Sequence, residues 1–549
     1  MPKSTVFSLV LGTTILAIGF YPLALLRIQM PSETFTATTT DGVQIVYDTT
    51  VRSDASADAP TAILLHGFAG NRIMMKMIAY ALADKGLTCV SVDLRGHGSS
   101  EGNMGGLDQF SNDVKEVIQS LQVKGVGNTS RIVLIGHSMG GGVALTLGSQ
   151  LPTAVATIGV APVSSPDWVN TTVPRNLLLI VSTGDAVIDF ATVEQTFYES
   201  VNGTLAFGEP HDVDGTMREL FVVEGPDHLN ILYNALVIDE IVRWTTRYVL
   251  GLEQSLTVSP VMISAAVYVS LVGGTMVILS ALALTRKKKW QERRKTEAKR
   301  RSDRKTLLRI GFTGFLLAGI FGSLIGIGIS LSLQAMTPLF FTNFITALFL
   351  GNSTAFGFLA RAELKRSSKD FSYLKFIKGS ISKPSLIADA ILGSIGAIAF
   401  LVLFSQTLGQ NTTSTFSTAS PRLVSLPLYL VLFSFVFMFY ESFFKGLARP
   451  MIGDGVKRMV YSVLFELAVL LSSFLLELAV VTTILSLYMP FIGLDFFVLG
   501  LNLVIISLVT SITSAEVFYE LTDGWIAQII VSALIFATLA TVLSPSLLF

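Results

Sequence analysis

Cysteine is almost absent: Cys89 stands alone among 549 residues, so the chain cannot build an internal disulfide framework. Histidine is scarce too. There are five, none beyond His228, which removes a histidine metal site or proton relay from the second half. Charge is the third shortage. Only 14% of residues are Asp, Glu, Lys or Arg, and they sum to zero formal charge, which excludes the basic footprint of a nucleic-acid binder.

Apolar residues fill the space, at 51% of the chain, more than a soluble globular protein carries. Crossing about 30 Å of hydrocarbon takes roughly 20 helical residues. Nine runs are long enough: 6–26, 258–284, 308–333, 338–360, 386–405, 424–444, 459–486, 493–513 and 524–548. The predicted organisation is an N-terminal anchor over 1–29, a polar domain over 30–251, and a polytopic membrane domain of about eight helices over 252–549. The first run could be a secretory signal with Lys3 as its basic flank. Its long apolar core and the lack of a small-x-small site before Arg27 favour an uncleaved anchor.

Lys and Arg set the expected orientation. The segment 286–309 holds thirteen of them, 361–383 seven and 445–458 four, while the short loops between offer only Arg422. Alternating basic and bare loops place the basic ones in the cytoplasm and the polar domain outside. Arg27 opposes this arrangement, and Lys3 with the terminal amine opposes Arg27. Asn128, Asn170, Asn202 and Asn411 begin Asn-x-Ser/Thr triplets on the expected outer side, compatible with glycosylation. The 286–309 run also suits anionic membrane lipids.

Within the polar domain, short β-branched runs at 61–65, 88–93, 131–135, 154–160, 177–182 and 219–223 alternate with helix-length stretches. That rhythm predicts an α/β fold, a doubly wound, mainly parallel sheet, joined to an all-α membrane domain. In such sheets reactive groups gather beyond the carboxyl ends of the strands. The run 131–135 is followed by Gly136-His137-Ser138-Met139-Gly140-Gly141 and an amphipathic helix over Val143–Gln150. Small residues two before and two after Ser138 let the chain turn sharply and hold the hydroxyl clear of the backbone. An acid and a base should follow in the order Ser, Asp or Glu, His. The run 177–182 leads to Asp185, and 219–223 leads to His228. His228 would take the Ser138 proton, with Asp185 fixing its tautomer. Asp189 is a rival acid one helical turn on. Asp227 is too close to its own neighbour to serve, and a solvated helix-cap role for His228 is the bland alternative.

These residues resemble the α/β-hydrolase superfamily, in particular its monoglyceride-lipase-like and serine-aminopeptidase-like branch. The resemblance rests on Leu64-Leu65-His66-Gly67-Phe68, on Asp93-Leu94-Arg95-Gly96-His97-Gly98-Ser99-Ser100-Glu101-Gly102, and on the Gly-His-Ser-Met-Gly-Gly turn. It implies an oxyanion hole from the backbone N–H groups of Phe68 and Met139, and loop-shaping roles for His66, Asp93, Arg95 and His97. Some 220 residues are covered. One departure stands out: family members with a lid insert tens of residues where Ser164 to Pro174 leaves about ten. The site should be open, or covered from outside the domain.

In the membrane half, Glu466 and Glu477 lie three turns apart on one helix with Ser473 between them, and Asn502 falls in the next run. They line a substrate or ion path, or hold helices together. Glu441 and Lys445 read as a surface i,i+4 pair. Gly314, Ala318, Gly322, Gly326 and Ser330 form a small-residue stripe for close helix packing, within the chain or between copies in a homo-oligomer. Three functions remain open: an esterase or lipase-like serine hydrolase acting on acyl-ester or lipid-like substrates; an amidase, peptidase or acyltransferase using the same triad; and a transporter or scaffold with an accessory hydrolase domain. None calls for a cofactor or a metal.

Overall fold

The computed structural model describes residues 3–284 except 57 and 69, together with 304–334, 340–367, 372–375, 378, 386–408, 421–452, 456–488, 508, 511–513, 516 and 526–543. The chain divides into two compact units, one centred on Ala17–Ser270 and one on Leu271–Phe404 and Arg422–Thr541 with Met1–Leu16.

The first unit is built on nine strands: β1 (Ser32–Thr38), β2 (Gln44–Thr50), β3 (Pro60–Leu65), β4 (Thr88–Val92), β5 (Asn128–His137), β6 (Ala154–Val160), β7 (Leu177–Ser182), β8 (His211–Val213) and β9 (Thr216–Val223). They run in the order β1-β2-β4-β3-β5-β6-β7-β9-β8. The central pairings from β4 through β9 are parallel, and antiparallel pairs close both edges. Every residue of β3, β4 and β7 is buried, which is why these strands read as unbroken apolar runs. Successive side chains point to opposite faces. Leu64, Val133, Ile135 and Ile158 therefore pack with helices α2 (Lys76–Ala83) and α6 (Ala235–Thr245). Leu65, Ile132 and Leu134 pack on the other face with α3 (Leu107–Lys124) and α4 (Met139–Gln150). A further helix, α5 (Phe190–Val201), covers β7 and β9 near the edge. Cys89 is fully buried in β4, and burial pushes its thiol up, away from reactivity.

The second unit is helical: α7 (Pro260–Leu284) from Leu271 on, α8 (Arg304–Gln334), α9 (Phe340–Ser367), α10 (Leu386–Leu408), α11 (Pro421–Phe443), α12 (Val456–Tyr488) and α13 (Ile526–Leu543), with the start of α1 (Lys3–Gln29). Among the described residues six helices are long and apolar enough to cross a membrane, in α1, α7, α8, α9, α11 and α12. Shorter apolar stretches, Ile387–Leu403 and Ile526–Thr538, fall where two more runs were expected. The run 493–513 lies largely outside the described residues. The small-residue stripe packs within the chain. A Cβ on Gly351 of α9 would lie 2.1 Å from the Gly322 carbonyl of α8, so the two backbones touch where no side chain intervenes.

Candidate active site

Ser138 sits where β5 gives way to α4, with φ 54° and ψ −120°, a conformation that a side chain disfavours. The turn holds because it is tied on both sides. Ser138 N–H donates to the Val160 carbonyl at 3.0 Å, and its own carbonyl accepts from Gly142 and Val163 at 3.2 and 2.9 Å. Glycine flanks it of necessity: a Cβ at Gly136 would lie 2.0 Å from the Gly140 carbonyl, and one at Gly140 2.4 Å from that of Leu65. The helix begins at Met139, where first-turn N–H groups have no partner one turn back.

His228 follows β9 and is buried. Its Nδ1–H donates to Asp185 Oδ2 at 2.7 Å, which leaves the Nε2 lone pair as the basic position. The other oxygen of Asp185 accepts from the N–H groups of Val187 and Ile188 at 2.8 and 3.1 Å. Burial works to raise this carboxyl, but the hydrogen bond and charge of His228, with those two N–H groups, hold it below the usual carboxylate range.

The rival acid is engaged elsewhere. Asp189 caps α5, accepting from the N–H groups of Ala191 and Thr192 and from the Thr192 hydroxyl. Asp227 accepts from the N–H groups of Leu229 and Asn230, so it too faces away from the imidazole.

His137 supplies a link that reading the sequence passed over. Its Nε2–H donates to the His228 carbonyl at 2.8 Å, and the two rings lie 4.7 Å apart. Burial, and then the neighbouring His228, lowers its pKa to about 3, so the ring stays neutral. The residue before Ser138 thus pins the His228 loop against the turn. The signal was present, since position two of the Gly-x-Ser-x-Gly pattern is a histidine. Ser182 adds a second tie, its hydroxyl donating to the Pro226 carbonyl at 2.5 Å.

Phe68 lies in the turn after β3, its ring edge-on to His97 at 6.3 Å. His66 Nδ1 meets the Gly67 carbonyl at 2.7 Å, and its Nε2 accepts from Leu94 N–H at 3.0 Å. Asp93 accepts from the N–H groups of Arg72 and Ser99, each at 2.7 Å, and pairs with the Arg72 guanidinium. Arg95 bridges Asp41 and Asp113. These four family-motif positions therefore brace loops. Between β6 and β7 the chain forms only a short 3-10 turn, Pro166–Trp168, so this connection carries no lid.

The membrane candidates fall into two buried networks. Glu466 accepts from Lys445 Nζ at 2.7 Å, Lys445 also meets Glu516, and Arg449 reaches Glu516 at 2.9 Å. Glu477 accepts from Asn352 at 3.0 Å, and Asn352 in turn accepts from the Tyr440 hydroxyl at 3.1 Å. Ser473 joins this second group through Asn352. The structure corrects one expectation: Glu441 and Lys445 are buried, and Lys445 pairs with Glu466 and Glu516 and not along its own helix surface. Past Phe443 the backbone enters a π-helical turn, Phe444–Ala448, whose wider register breaks the i,i+4 spacing. Asn502 lies outside the described residues.

Residues 58–193 match the family model of the serine aminopeptidases, S33. The strand-built unit has the α/β-hydrolase fold, and part of it is similar to this family. The sn-1-specific diacylglycerol lipase ABHD11 of Xenopus tropicalis is 38% identical over 104 residues, which are 19% of this chain and 31% of that protein. The monoacylglycerol lipase of Mycolicibacterium smegmatis is 32% identical over 114 residues, 20% and 39% of the two chains. A probable alcohol acetyltransferase of Saccharomyces cerevisiae is 35% identical over 125 residues, 22% and 36%. The chain thus spans about a third of the length of these relatives. Among solved structures, the Pyrococcus furiosus esterase Pf2001 aligns with 40% of this chain and 93% of its own at 19% identity and a TM-score of 0.33. The α/β-hydrolase is fused to the apolar helical domain within one chain.

Proposed function

We propose that this protein is a membrane-anchored serine hydrolase that cleaves acyl esters through a Ser138–His228–Asp185 triad. The observation that carries the proposal is the 2.7 Å contact between His228 Nδ1 and Asp185, on a loop tied by His137 to the Ser138 turn. In the mechanism, His228 Nε2 takes the Ser138 proton as Oγ attacks the ester carbonyl. The N–H groups of Phe68 and Met139 receive the charge that develops on the carbonyl oxygen. The alcohol leaves with the proton held by His228, and water, activated by the same imidazole, releases the acid and restores Ser138. The lipase names of two relatives favour acyl esters of lipid character. The acetyltransferase likeness keeps acyl transfer to an alcohol as a second reading, differing only in what attacks the acyl-enzyme.

The test is labelling of the full-length protein with a fluorophosphonate, followed by a screen of ester chain lengths with and without an acceptor alcohol. Ser138→Ala should abolish labelling and lower hydrolysis by about 10⁴-fold or more. Full activity in that variant ends the proposal. On the same reading the hydrolase domain is extracytoplasmic, so a cysteine within 286–309 resists an impermeant thiol reagent in intact cells; its rapid labelling would invert the topology.

A further inference from the structure

A cavity of about 180 Å³ lies on the β9 and α6 side of the hydrolase unit. Its lining includes the carboxylates Glu219, Glu240 and Glu253, the guanidinium groups of Arg243 and Arg247, and aromatic rings, Tyr248 among them. Glu219 pairs in the sheet with Leu178 near the start of β7, whereas Ser138, Asp185 and His228 follow strand ends. The cavity is therefore separate from the candidate catalytic groups.

Two observations point to a missing occupant. Glu219 is 4% exposed, yet its carboxylate has no hydrogen-bond or ion-pair partner among the described residues. The Tyr248 hydroxyl beside it is also buried and unpartnered. A buried carboxylate without a hydrogen bond is costly even with Arg243 and Arg247 attracting it at longer range, and a cation in direct contact would relieve the cost. Burial, and then the like charge of Glu240, already pushes Glu219 up to about 7. Among the described residues no group of three His, Cys, Asp or Glu side chains is arranged for a metal, and two arginines flank the carboxylates. An ammonium fits better, because its N–H groups reach the carboxylates while its carbon chain lies on the aromatic rings.

Arg243 and Arg247 are exposed at the rim, and neither guanidinium has a hydrogen-bond or ion-pair partner among the described residues. Arg247 lies over the Tyr248 ring at 5.3 Å, which holds its charge beside the cavity. Carboxylates inside and guanidinium groups outside complement a ligand with a cation at one end and an anion at the other. The volume equals that of roughly six water molecules, so the ligand is small.

We propose that this cavity binds a small zwitterion, a primary ammonium joined by a short chain to a phosphate or carboxylate. Two sources carry that chemistry: the headgroup of an aminophospholipid, or a free soluble zwitterion. Tyr248 and Ile263, the latter in a candidate membrane span, pack against the same hydrophobic core.

The experiment uses the full-length protein. O-phosphoethanolamine is titrated by calorimetry, and vesicles of phosphatidylethanolamine are compared with vesicles of phosphatidylglycerol. Saturable binding of the soluble probe alone identifies a free zwitterion, and a preference for phosphatidylethanolamine identifies the lipid; either supports the site. Glu219→Gln should weaken binding about tenfold, and Arg247→Gln should do so for O-phosphoethanolamine but not for ethylamine. Binding should strengthen as pH rises from 6 to 8 and Glu219 ionises, with Glu240, Arg243, Arg247, Glu253 and Tyr248 as the other titratable groups around it. Retained fluorophosphonate labelling shows that each variant is folded. Binding undiminished in Glu219→Gln, or no saturable binding of either probe by the unmodified protein, overturns the proposal.

Discussion

Asp93 and Asp185 in the hydrolase unit each accept from two backbone N–H groups as well as from a side chain. Among the described residues, Glu466 and Glu477 in the helical unit accept only from side chains, Lys445 and Asn352. The difference follows from where the carboxylates sit. Loops beyond strand ends leave N–H groups unused, and a nearby acid collects them. An α-helix consumes its own N–H groups, so a carboxylate buried among helices depends on whatever side chain another helix brings. Acids at strand ends draw on backbone N–H groups of neighbouring loops, some of them local as at Ser99, Val187 and Ile188, whereas the acids in helices draw on side chains from other segments.

Five substitutions break or sharpen this contrast, beginning with the largest effect. Asp185→Asn keeps the acceptor for Val187 and Ile188 but presents the wrong partner to His228, so ester hydrolysis should fall about 10³–10⁴-fold with little loss of stability. Asp189→Asn, which retains a competent cap, should leave the rate nearly unchanged; the reverse ranking would make Asp189 the acid. Lys445→Met leaves Glu466 without its cation and Glu516 with Arg449 alone, and should destabilise the helical unit by about 3–5 kcal/mol. Thermal unfolding in detergent reads that loss, and an unshifted midpoint would mean that solvent reaches the cluster. Gly351→Val forces a side chain against the Gly322 carbonyl and should cost about 1–3 kcal/mol in the same assay. Smallest is Glu477→Gln, whose amide oxygen can still accept from Asn352, with a change of about 1 kcal/mol or less. A large loss there would show that the negative charge itself is used.

Legibility from sequence divides along the same line. The interior strands β3 to β7 and β9 were visible because burial on both faces leaves long apolar runs. Edge strands β1 and β8 were not, because they expose polar residues and resemble loops; β1 reads Ser-Glu-Thr-Phe-Thr-Ala-Thr. Strand β2 lies between β1 and β4 and is largely buried, but its Asp48-Thr49-Thr50 end interrupts the apolar run. Ser138, Asp185 and His228 stood out because each follows a strand at a spacing the chemistry demands. His137 was passed over because its role lies in a contact 91 residues away. In the helices, residue type marked Glu466 and Glu477 as unusual, but their partners, Lys445 in the π-helical turn after α11 and Asn352 on α9, have no fixed offset. The Glu441 and Lys445 expectation failed because it assumed a regular helix through a π-helical turn.

The backbone at Ser138 has one further consequence. A φ of 54° suits glycine, so folding there works against the residue that the proposed chemistry requires. Alanine would keep the same discomfort while removing the hydroxyl, whereas glycine would remove both. Ser138→Gly should therefore yield an inactive protein that resists heat better than Ser138→Ala. The gap between their melting points would measure how much durability the molecule forgoes to keep a hydroxyl at that corner.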